Sequence, residues 1–317
     1  MGTAQSLRDC RKAFAAELVE LAVQDERIVV VCNDSVGSSN LGEFRERYPD
    51  RLINVGIAEQ DLVGAGAGLA NAGYVPFVCG AAPFLTGRGL EQIKTDVVYS
   101  QNAVILCGMS PGFGYGELGP THHSIEDLSW LRALPELDIV VPADFAQMRQ
   151  AVRLAAQDPR PTFIRVGRTP VPDIMPPEST LVRGRVDVVR EGTDVALVAT
   201  GPEVARALDA ARLLEANGVS TMVINAAYIA PFDHDAIASA ASHVKAIVTA
   251  EDAIVTGGLG AAVAAVVAAQ PRASRVPVLM AGAGEFAPIG DQNYLFDYYG
   301  LDPESLAARC QEALSRV

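Results

Sequence analysis

Aromatic side chains and long apolar runs are both scarce in this chain of 317 residues. Aromatic residues make up 6% of the chain, whereas 50% of its residues are hydrophobic, and alanine, valine and glycine are frequent. This composition favours an α/β protein with buried parallel strands and small residues between the packed elements. No apolar run reaches the roughly 18 residues of a membrane-spanning helix, and Met1–Arg8 lack the apolar stretch of a secretion signal. We therefore expect a soluble, cytoplasmic protein.

Paired cysteines and an excess of positive charge are also missing. The five cysteines are scattered, without a C-x-x-C pair or the spacing of metal ligands. Cys32, Cys79 and Cys107 lie within apolar runs, which is typical of buried core residues in a reducing compartment. The net charge of -13 argues against nucleic acid or an anionic membrane surface as a partner. We expect no metal site within the chain, no nucleic-acid partner and no membrane partner.

What the chain does contain is a repeated alternation of strand and helix patterns. Helices are predicted over residues 6–24, from about 87 to 100, and over Phe145–Ala156 and Glu203–Asn217. Strands are predicted at Ile28–Cys32, Val75–Cys79, Ala103–Cys107, Leu137–Val141, Thr162–Val166, Val195–Ala199, Ser220–Asn225, Ala246–Thr249 and Val276–Leu279. Such repetition implies right-handed crossover connections and parallel sheets.

One stretch interrupts the alternation and divides the chain. Residues 169–180 contain four prolines and no apolar periodicity, which is typical of a linker. We therefore expect two separate α/β units, a first domain over residues 1–180 and a second over 185–317, with a linker at about 169–184.

A single carboxylate, Glu59, stands out in the segment Asn54–Asp61. It lies where an extended apolar stretch, which includes Ile53, Val55 and Ile57, gives way to a helix of small residues. A carboxylate at such a junction is expected to be partly desolvated, which would raise its pKa and suit it to sharing a proton. The alternative is an acid placed at a helix start because the helix dipole favours negative charge there.

Two adjacent imidazoles follow a glycine-rich loop sixty-odd residues later. The loop Gly112–Gly119 leads directly into Pro120, Thr121, His122 and His123. Histidine gives and takes a proton near neutral pH, so the pair could serve in catalysis. The alternative is that both are surface loop residues.

Taken in order, these segments resemble the C-terminal half of transketolases, which depend on thiamine diphosphate. The resemblance covers nearly the whole chain and rests on Asn54–Gln60, Phe84–Arg88, Gly119–His122, Leu131–Pro135, Pro142–Asp144, Gly257–Gly260 and Phe286–Gly290. It implies a parallel-sheet domain that binds the pyrimidine ring of the cofactor, followed by an α/β domain of the transketolase C-terminal type.

The Gly-Asp-Gly motif that binds diphosphate and metal in this family has no counterpart in the chain. The resemblance therefore implies one subunit of a split transketolase, active with a separate N-terminal subunit that binds the diphosphate. Thiamine diphosphate would be the cofactor, and Mg²⁺ or Ca²⁺ would be held mainly by that partner. Two copies of the chain would form a homodimer within a heterotetramer.

The resemblance also implies roles for individual residues. Glu59 would share a proton with N1′ of the cofactor, and the aminopyrimidine would stack on Phe84, with Ile57 and Asp34 as further cofactor contacts. His122 would act on the substrate carbonyl or hydroxyl, and His123 would support it or start a helix. The substrate would also contact Asp34, Ser38 and Arg168; arginine is suited to phosphate.

Three positions depart from the family pattern. The phosphate-binding histidine falls at Ser110, and the aspartate that contacts donor hydroxyls falls at Leu118. Ala253 stands where a histidine often follows the acidic pair Glu251 and Asp252. Ketol transfer is expected to survive these changes, whereas the usual pentose phosphates are less certain substrates and a specialised acceptor is open.

Two other functions remain open at this stage. The first is the β subunit of a 2-oxo acid dehydrogenase E1 component, which has similar length and domain content. The second is a regulatory or scaffolding subunit without catalysis, against which the intact Glu59 argues. The donor, the acceptor, the pathway and the partner cannot be read from the sequence.

Overall fold

The computed structural model describes residues 6–317, with Ala273 described by its backbone alone. Of the predicted domain 1–180, Met1–Gln5 lie outside the described residues. The helices are α1 Cys10–Gln24, α2 Gly42–Arg47, α3 Glu59–Asn71, α4 Ala82–Arg88, α5 Leu90–Gln92, α6 Asp127–Arg132, α7 Phe145–Gln157, α8 Glu203–Glu215, α9 His234–His243, α10 Leu259–Ala269, α11 Gln292–Tyr298 and α12 Pro303–Leu314. A π-helix, Ile93–Tyr99, continues α5, and short 3₁₀ turns lie at Pro49–Arg51, Gly116–Leu118 and Arg272–Ser274.

The strands form two sheets. They are β1 Ile28–Cys32, β2 Leu52–Asn54, β3 Val75–Ala81, β4 Ile105–Met109, β5 Asp138–Val140, β6 Thr162–Val166, β7 Asp187–Arg190, β8 Val195–Ala199, β9 Thr221–Asn225, β10 Tyr228–Ala230, β11 Ala246–Ile254 and β12 Val278–Ala283. The first sheet has the order β10-β5-β6-β4-β3-β1-β2 and the second has the order β12-β11-β8-β9-β7. All pairings are parallel except β10 with β5 and β7 with β9. The predicted α/β fold with two mainly parallel sheets is therefore confirmed.

Central strands are buried along their whole length, as their continuous apolar runs predicted. In β1, β4, β6, β8 and β9 every residue is buried. This follows from helices that cover both faces of a parallel sheet. On one face of the first sheet, Phe14 and Leu18 of α1 pack against Val30 and Phe77. The other core joins Val31 and Val78 to residues of the second sheet.

The prediction of two separate units is wrong in one respect. Strand β10 follows the second-sheet strand β9 in the chain, yet it pairs antiparallel with β5 at the edge of the first sheet. The backbone N–H of Val141 also donates to the carbonyl of Ala227 at 2.7 Å. A short edge strand of three residues carries too weak a period-2 pattern to be recognised in the sequence. The second half thus completes the first sheet.

The proline-rich connection is tied to the fold rather than free. The carboxylate of Asp144 caps α7 by accepting from the N–H of Gln147, and its other oxygen accepts from the N–H groups of Ile174 and Met175. Further along, the side-chain amide of Gln150 donates to Ser179 at 3.0 Å. We keep 169–184 as the proposed linker and 1–180 and 185–317 as the proposed domain limits.

A buried arginine joins the two halves of the chain. Arg165 of β6 is 2% exposed, and its guanidinium donates to Asp127 of α6 at 2.9 Å and to Asp252 of β11 at 2.5 Å. Burial alone would lower the pKa of Arg165, but the two carboxylates outweigh it and hold that pKa above its ordinary value. The three side chains form a charged contact that is excluded from water.

The predicted helix over residues 87–100 is in fact several elements. Helix α4 begins earlier, with Pro83 in its first turn, and ends at Arg88. The flanking glycines Gly87 and Gly89 favour such an end because glycine weakens a helix interior.

None of the helices within residues 6–317 combines the length and the apolar character needed to cross a membrane.

Candidate active site

Five neighbouring strands of the first sheet lead into the residues singled out in the sequence. Parallel strands end at one common edge, and ligands of open α/β sheets bind beyond that edge. Strand β1 leads into Asp34, β2 into Glu59, β3 into Phe84, β4 into Ser110 and His122, and β6 into Arg168. The topology therefore gathers these residues at one side of the sheet.

Glu59 is a buried carboxylate with a partner on each oxygen. Its side chain is 3% exposed, although it begins α3. Oε1 accepts from Nδ2 of Asn33 at 3.0 Å, and Oε2 accepts from Nη1 of Arg88 at 2.9 Å. It lies at the wall of an open cavity of about 870 Å³, which Ile57, Gln92 and Asp96 also line. Ile57 is 78% exposed and thus faces solvent beside Glu59.

The expectation of a raised pKa for Glu59 is wrong. Burial raises this pKa, but hydrogen bonds from Arg88, from the backbone N–H of Glu59 itself and from Asn33 outweigh burial and lower it. Hydrogen bonds and a cation favour the charged form of a carboxylate. Glu59 is therefore held as a carboxylate in this chain.

Arg88 connects Glu59 to the aromatic residue predicted to stack on the cofactor. Its guanidinium carbon lies 4.2 Å from the centroid of the Phe84 ring. The Phe84 ring in turn meets the His122 imidazole edge to face, with 5.0 Å between the centroids. Glu59, Arg88, Phe84 and His122 therefore form a contiguous strip along the edge of the sheet.

The strip continues from His122 toward the residue predicted to bind phosphate. The Tyr115 ring lies 6.1 Å from the His122 ring, and the Arg168 guanidinium lies 5.3 Å from the Tyr115 centroid. His122 Nδ1 and Thr121 Oγ1 are 2.9 Å apart, which orients the imidazole. Tyr115 and Arg168 line a second cavity, of about 440 Å³, together with Phe113, Gly114, Gly116, Glu117, Leu118, Thr169, Pro170, Asp291 and Gln292.

His123 is turned away from this strip. It is 3% exposed, and its Nε2 lies 3.1 Å from the carbonyl oxygen of Gly116. His123 thus contacts the glycine-rich loop, and its predicted roles in supporting His122 or starting a helix stay predictions.

Asp34, which directly follows Asn33, has an unusual backbone conformation. Its φ of 65° lies in the left-handed region, and its N–H donates to Oδ1 of Asn54 at 2.9 Å. Nδ2 of Asn54 donates back to the Asp34 carboxylate at 3.1 Å. Ser38 is exposed and its hydroxyl donates to the carbonyl of Ser35. Non-glycine residues with such φ values are concentrated at functional sites.

The positions that depart from the family pattern have different surroundings. Ser110 is fully buried, has a φ of 54°, and its hydroxyl finds no partner among the described residues. Leu118 is 53% exposed. Glu251 accepts from the N–H groups of Leu259 and Gly260 and so caps α10. The acidic pair Glu251 and Asp252 therefore stabilises the fold, since Asp252 binds Arg165.

Sequence reasoning assigned no role to several residues that shape the site. Arg88, Asn33, Asn54 and Tyr115 each contact a predicted site residue directly. Three of them lie within or next to segments already noted, since Asn33 precedes Asp34, Asn54 opens the Glu59 segment, and Arg88 closes the Phe84 segment. Their partners, however, lie 20 to 29 positions away.

The site fits the pyrimidine half of thiamine diphosphate. An aminopyrimidine needs a carboxylate at N1′ and an aromatic face, and Arg88 touches both Glu59 and Phe84 with one planar group. The separation of carboxylate and ring is thus suited to a flat heterocycle. Within residues 6–317 no group of three or more His, Cys, Asp or Glu side chains could hold a metal ion.

Comparison with known proteins identifies the family. The family model "Transketolase, pyrimidine binding domain" matches residues 7–173, and "Transketolase, C-terminal domain" matches residues 184–306. The chain is 40% identical to an apulose-4-phosphate transketolase subunit of Phocaeicola vulgatus over 99% of both chains. It is 34% identical to a 6-deoxy-6-sulfo-D-fructose transketolase subunit of Clostridium sp., over 96% of this chain and 94% of that one.

A solved structure supports the same assignment. The structure described as "Split gene transketolase, inactive beta4 tetramer" superposes with a TM-score of 0.88 at 36% identity, covering 98% of this chain and 99% of that one. The family models, the relatives and the solved structure thus agree along nearly the full length of the chain. The chain belongs to the transketolase family of thiamine-diphosphate enzymes.

Proposed function

We propose that the chain is the C-terminal subunit of a split transketolase, which transfers a two-carbon ketol unit from a ketose donor to an aldehyde acceptor. The observation that carries this proposal is the buried Glu59 at the head of the strip that runs through Phe84 and His122. The relatives with 34–40% identity, named as transketolase subunits over nearly the whole chain, support it. We do not propose oxidative decarboxylation with a lipoyl acceptor, because nothing in these relatives' names favours it.

The chain's own residues have distinct tasks in this proposal. Thiamine diphosphate, when bound, supplies the nucleophilic C2 of its thiazolium ring and its own amino group as a base. Glu59 shares a proton with N1′, and such general acid–base assistance contributes typically about 10²–10⁴-fold. Phe84 supplies a face for the aminopyrimidine, and Ile57 and Asp34 are proposed as further cofactor contacts.

His122 and the residues beyond it are proposed to act on the sugar. The imidazole of His122 gives a proton to, and takes it from, the oxygen of the reacting carbonyl. Asp34 and Ser38 are further proposed contacts of the substrate. Arg168 binds a terminal anionic group, for which its planar guanidinium is suited.

We infer the following assembly from the missing diphosphate and metal motif. A separate N-terminal subunit holds the diphosphate together with Mg²⁺ or Ca²⁺, and two copies of this chain form a homodimer at the centre of a heterotetramer. The complex works in the cytoplasm. The solved split-gene relative is itself described as a tetramer of β chains that is inactive, which supports a need for a second kind of subunit.

The substrate is proposed to be an unusual ketose rather than a common pentose phosphate. Relatives act on apulose 4-phosphate and 6-deoxy-6-sulfo-D-fructose according to their names, and both sugars carry an anionic group. Arg168 offers this chain one cation for such a group at the cavity of about 440 Å³. Apulose 4-phosphate is therefore the first donor to test.

Purification of the native complex tests the function. We expect the tagged chain, expressed in its own cells, to carry a second polypeptide that mass spectrometry identifies as a diphosphate-binding transketolase half. The complex should bind thiamine diphosphate with Mg²⁺ tightly and transfer a ketol unit, whereas the isolated chain should not. Sub-micromolar cofactor binding by the isolated chain would contradict the split-enzyme proposal.

A further inference from the structure

Arg88 lies in the place that the proposed function gives to the aminopyrimidine ring. Its guanidinium is planar, donates to Oε2 of Glu59 at 2.9 Å, and stacks 4.2 Å from the centroid of Phe84. These are the same two contacts, a carboxylate at the edge and an aromatic ring at the face, that the cofactor ring requires. The Arg88 side chain thus makes the two contacts that the aminopyrimidine ring of the cofactor would make, with Glu59 and with Phe84.

The two occupants exclude one another at Glu59. Oε1 already accepts from Nδ2 of Asn33 at 3.0 Å, so Oε2 is the oxygen open to the cavity side where Arg88 lies. A guanidinium only donates hydrogen bonds and keeps its proton, so it stabilises an ionised carboxylate. Arg88 and N1′ would both approach Oε2, and once Arg88 leaves, the carboxylate can take up a proton from solvent and share it with N1′.

The Arg88 side chain can move away from Glu59 into solvent. It is the last residue of α4, and its side chain is 51% exposed even while paired with the buried Glu59. Asp61, Gln92 and Asp96 line the same open cavity, so other acceptors lie along the wall. The departure therefore breaks one ion pair and leaves the charge of Arg88 in solvent, while the buried Glu59 keeps Asn33 and gains the ring as its new partner.

We propose that Arg88 is a place-holder, which occupies the aminopyrimidine position against Glu59 and Phe84 in the unassembled chain and is displaced when the ring binds. This inference rests on the proposed function, in which Glu59 binds N1′. Its consequence is that Arg88 competes with the cofactor ring rather than supporting it. Asn33 stays in place and keeps the carboxylate oriented in both states.

A neutral fragment of the cofactor tests the competition on the isolated full-length chain. The probe is 4-amino-5-hydroxymethyl-2-methylpyrimidine, used above neutral pH so that the free ring carries no charge. Ligand-detected NMR measures its dissociation constant for the wild type, Arg88→Gln and Glu59→Leu. We expect Arg88→Gln to bind the probe about three- to tenfold more tightly, since about 1.4 kcal/mol corresponds to tenfold, and Glu59→Leu to lose binding, because leucine offers no hydrogen bond to N1′.

Arg183→Gln is the matched control. Arg183 is 47% exposed and pairs with the buried Asp138, which is 6% exposed, so its exposure and its partner resemble those of the Arg88 pair. It lies away from the site, beside Tyr228 and Arg160. We expect it to bind the probe as the wild type does. An equal gain in Arg183→Gln and Arg88→Gln would overturn the proposal, because the gain would then not depend on the site.

A second measurement uses the wild type alone and does not depend on how a variant folds. The Nε–H resonance of Arg88 in ¹⁵N-labelled chain should shift as the probe is added, while that of Arg183 should stay. An unmoved Arg88 resonance at saturation, or weaker or unchanged probe binding by Arg88→Gln, would overturn displacement. Unchanged binding by Glu59→Leu would instead remove Glu59 from the proposed function, so the two failures are distinguishable.

Discussion

At the scale of single residues, the surroundings of Glu59 combine two opposing requirements. A carboxylate that is 3% exposed would keep a proton in an apolar pocket, yet Arg88 and Asn33 hold it ionised. Because both partners act on the charged form, removing them would bring the pKa of Glu59 back up. Glu59 thus stays ionised as long as Arg88 is its partner.

The first prediction concerns Glu59 itself. In the complex with its partner subunit, Glu59→Gln should lower turnover at least about 10²-fold, the scale of lost acid–base assistance. Deuterium exchange at C2 of the cofactor should slow as well, because glutamine has no proton to share with N1′. The matched control is Glu17→Gln, since Glu17 is 1% exposed and pairs with Arg149 and Arg153 far from the site. It should lower stability and leave exchange unchanged, and unchanged exchange in Glu59→Gln would exclude Glu59 from the mechanism.

The second prediction concerns substrate choice. Ser110 is neutral where the family pattern has histidine, and a hydrogen bond to a charged group contributes roughly 1.5–3 kcal/mol. The complex should therefore bind a terminal phosphate about ten- to a hundredfold more weakly than it would with the histidine, unless Arg168 and the partner subunit make up for it. It should thus handle xylulose 5-phosphate with ribose 5-phosphate poorly, and steady-state kinetics on that pair measures this. A kcat/KM on the order of 10⁴ M⁻¹s⁻¹ or more for the pentose pair would mean that the substitution has no effect.

Leu118 allows the same idea to be tested in reverse. Its side chain is 53% exposed at the cavity of about 440 Å³, so a carboxylate can be placed there without being buried. Leu118→Asp should sharpen selection between donors that differ in hydroxyl configuration, whereas Leu118→Asn, of the same shape but uncharged, should do so less. Equal donor preferences in both variants and the wild type would argue against a role for this position.

Comparison of sequence and structure at this scale shows where prediction works. Glu59, Phe84, His122 and Arg168 lie along one strip, as expected, because all of them follow parallel strands that share an edge. The direction of the Glu59 pKa shift was predicted wrongly because its cause, Arg88, lies 29 positions away. Burial can be estimated from local sequence, whereas a long-range partner depends on how α4 is placed.

At the scale of elements, the buried Arg165 of β6 connects α6 and β11 through its ion pairs. Asp127 and Asp252 each face the guanidinium in a site that excludes water. Such a cluster contributes modestly while intact, because desolvation offsets much of the attraction. Removal of the Arg165 guanidinium alone would destabilise the fold strongly, since two carboxylates would remain buried without a cation.

The third prediction follows from that asymmetry. Arg165→Met keeps the volume roughly constant but removes the cation, so the free energy of unfolding should fall by about 3–5 kcal/mol. Urea denaturation measures this. The control is Arg47→Met, which breaks an exposed pair with Glu43 within α2 and should cost less than about 1 kcal/mol. Similar losses in the two variants would mean that burial of the Arg165 cluster carries no special cost.

Elements also show the limit of pattern reading. The long buried strands β1, β6 and β8 were predicted with their observed bounds, because a continuous apolar run between polar segments has few other interpretations. Strands β7 and β10 were not predicted. Both lie at sheet edges and pair antiparallel. Strand β7 mixes charged and apolar residues, and β10 has only three residues, so neither carries a pattern long enough to predict a strand.

At the scale of the whole molecule, helix α3 presents a face that is open in the single chain. A Cβ added at Gly64 or Gly68 would meet nothing within 4 Å, whereas one added at Gly66 would lie 2.4 Å from Val78. Gly66 is therefore needed for packing inside the chain. We propose that the homodimer forms through this helix, because the chain leaves Gly64 and Gly68 open.

The fourth prediction tests that homodimer. Gly68→Gln adds bulk on the open face and glutamine favours helix, so the fold should be kept or stabilised, by about 1 kcal/mol at most. Light scattering after size exclusion should show a smaller assembly than the wild type forms. Gly42→Gln is the control, because Gly42 of α2 is equally open to an added side chain. A wild-type mass for Gly68→Gln would place the interface elsewhere.

Strand β10 joins the two halves of the chain, because it follows β9 of the second sheet but pairs with β5 of the first. A break within the proline-rich connection would leave β5 with an unpaired edge, which is a common route to aggregation. A break just after Ala230 would instead carry β7, β8 and β9 away from the second sheet. Neither position yields two complete parts. We therefore expect either cut to leave one sheet without a strand that it has in the whole chain.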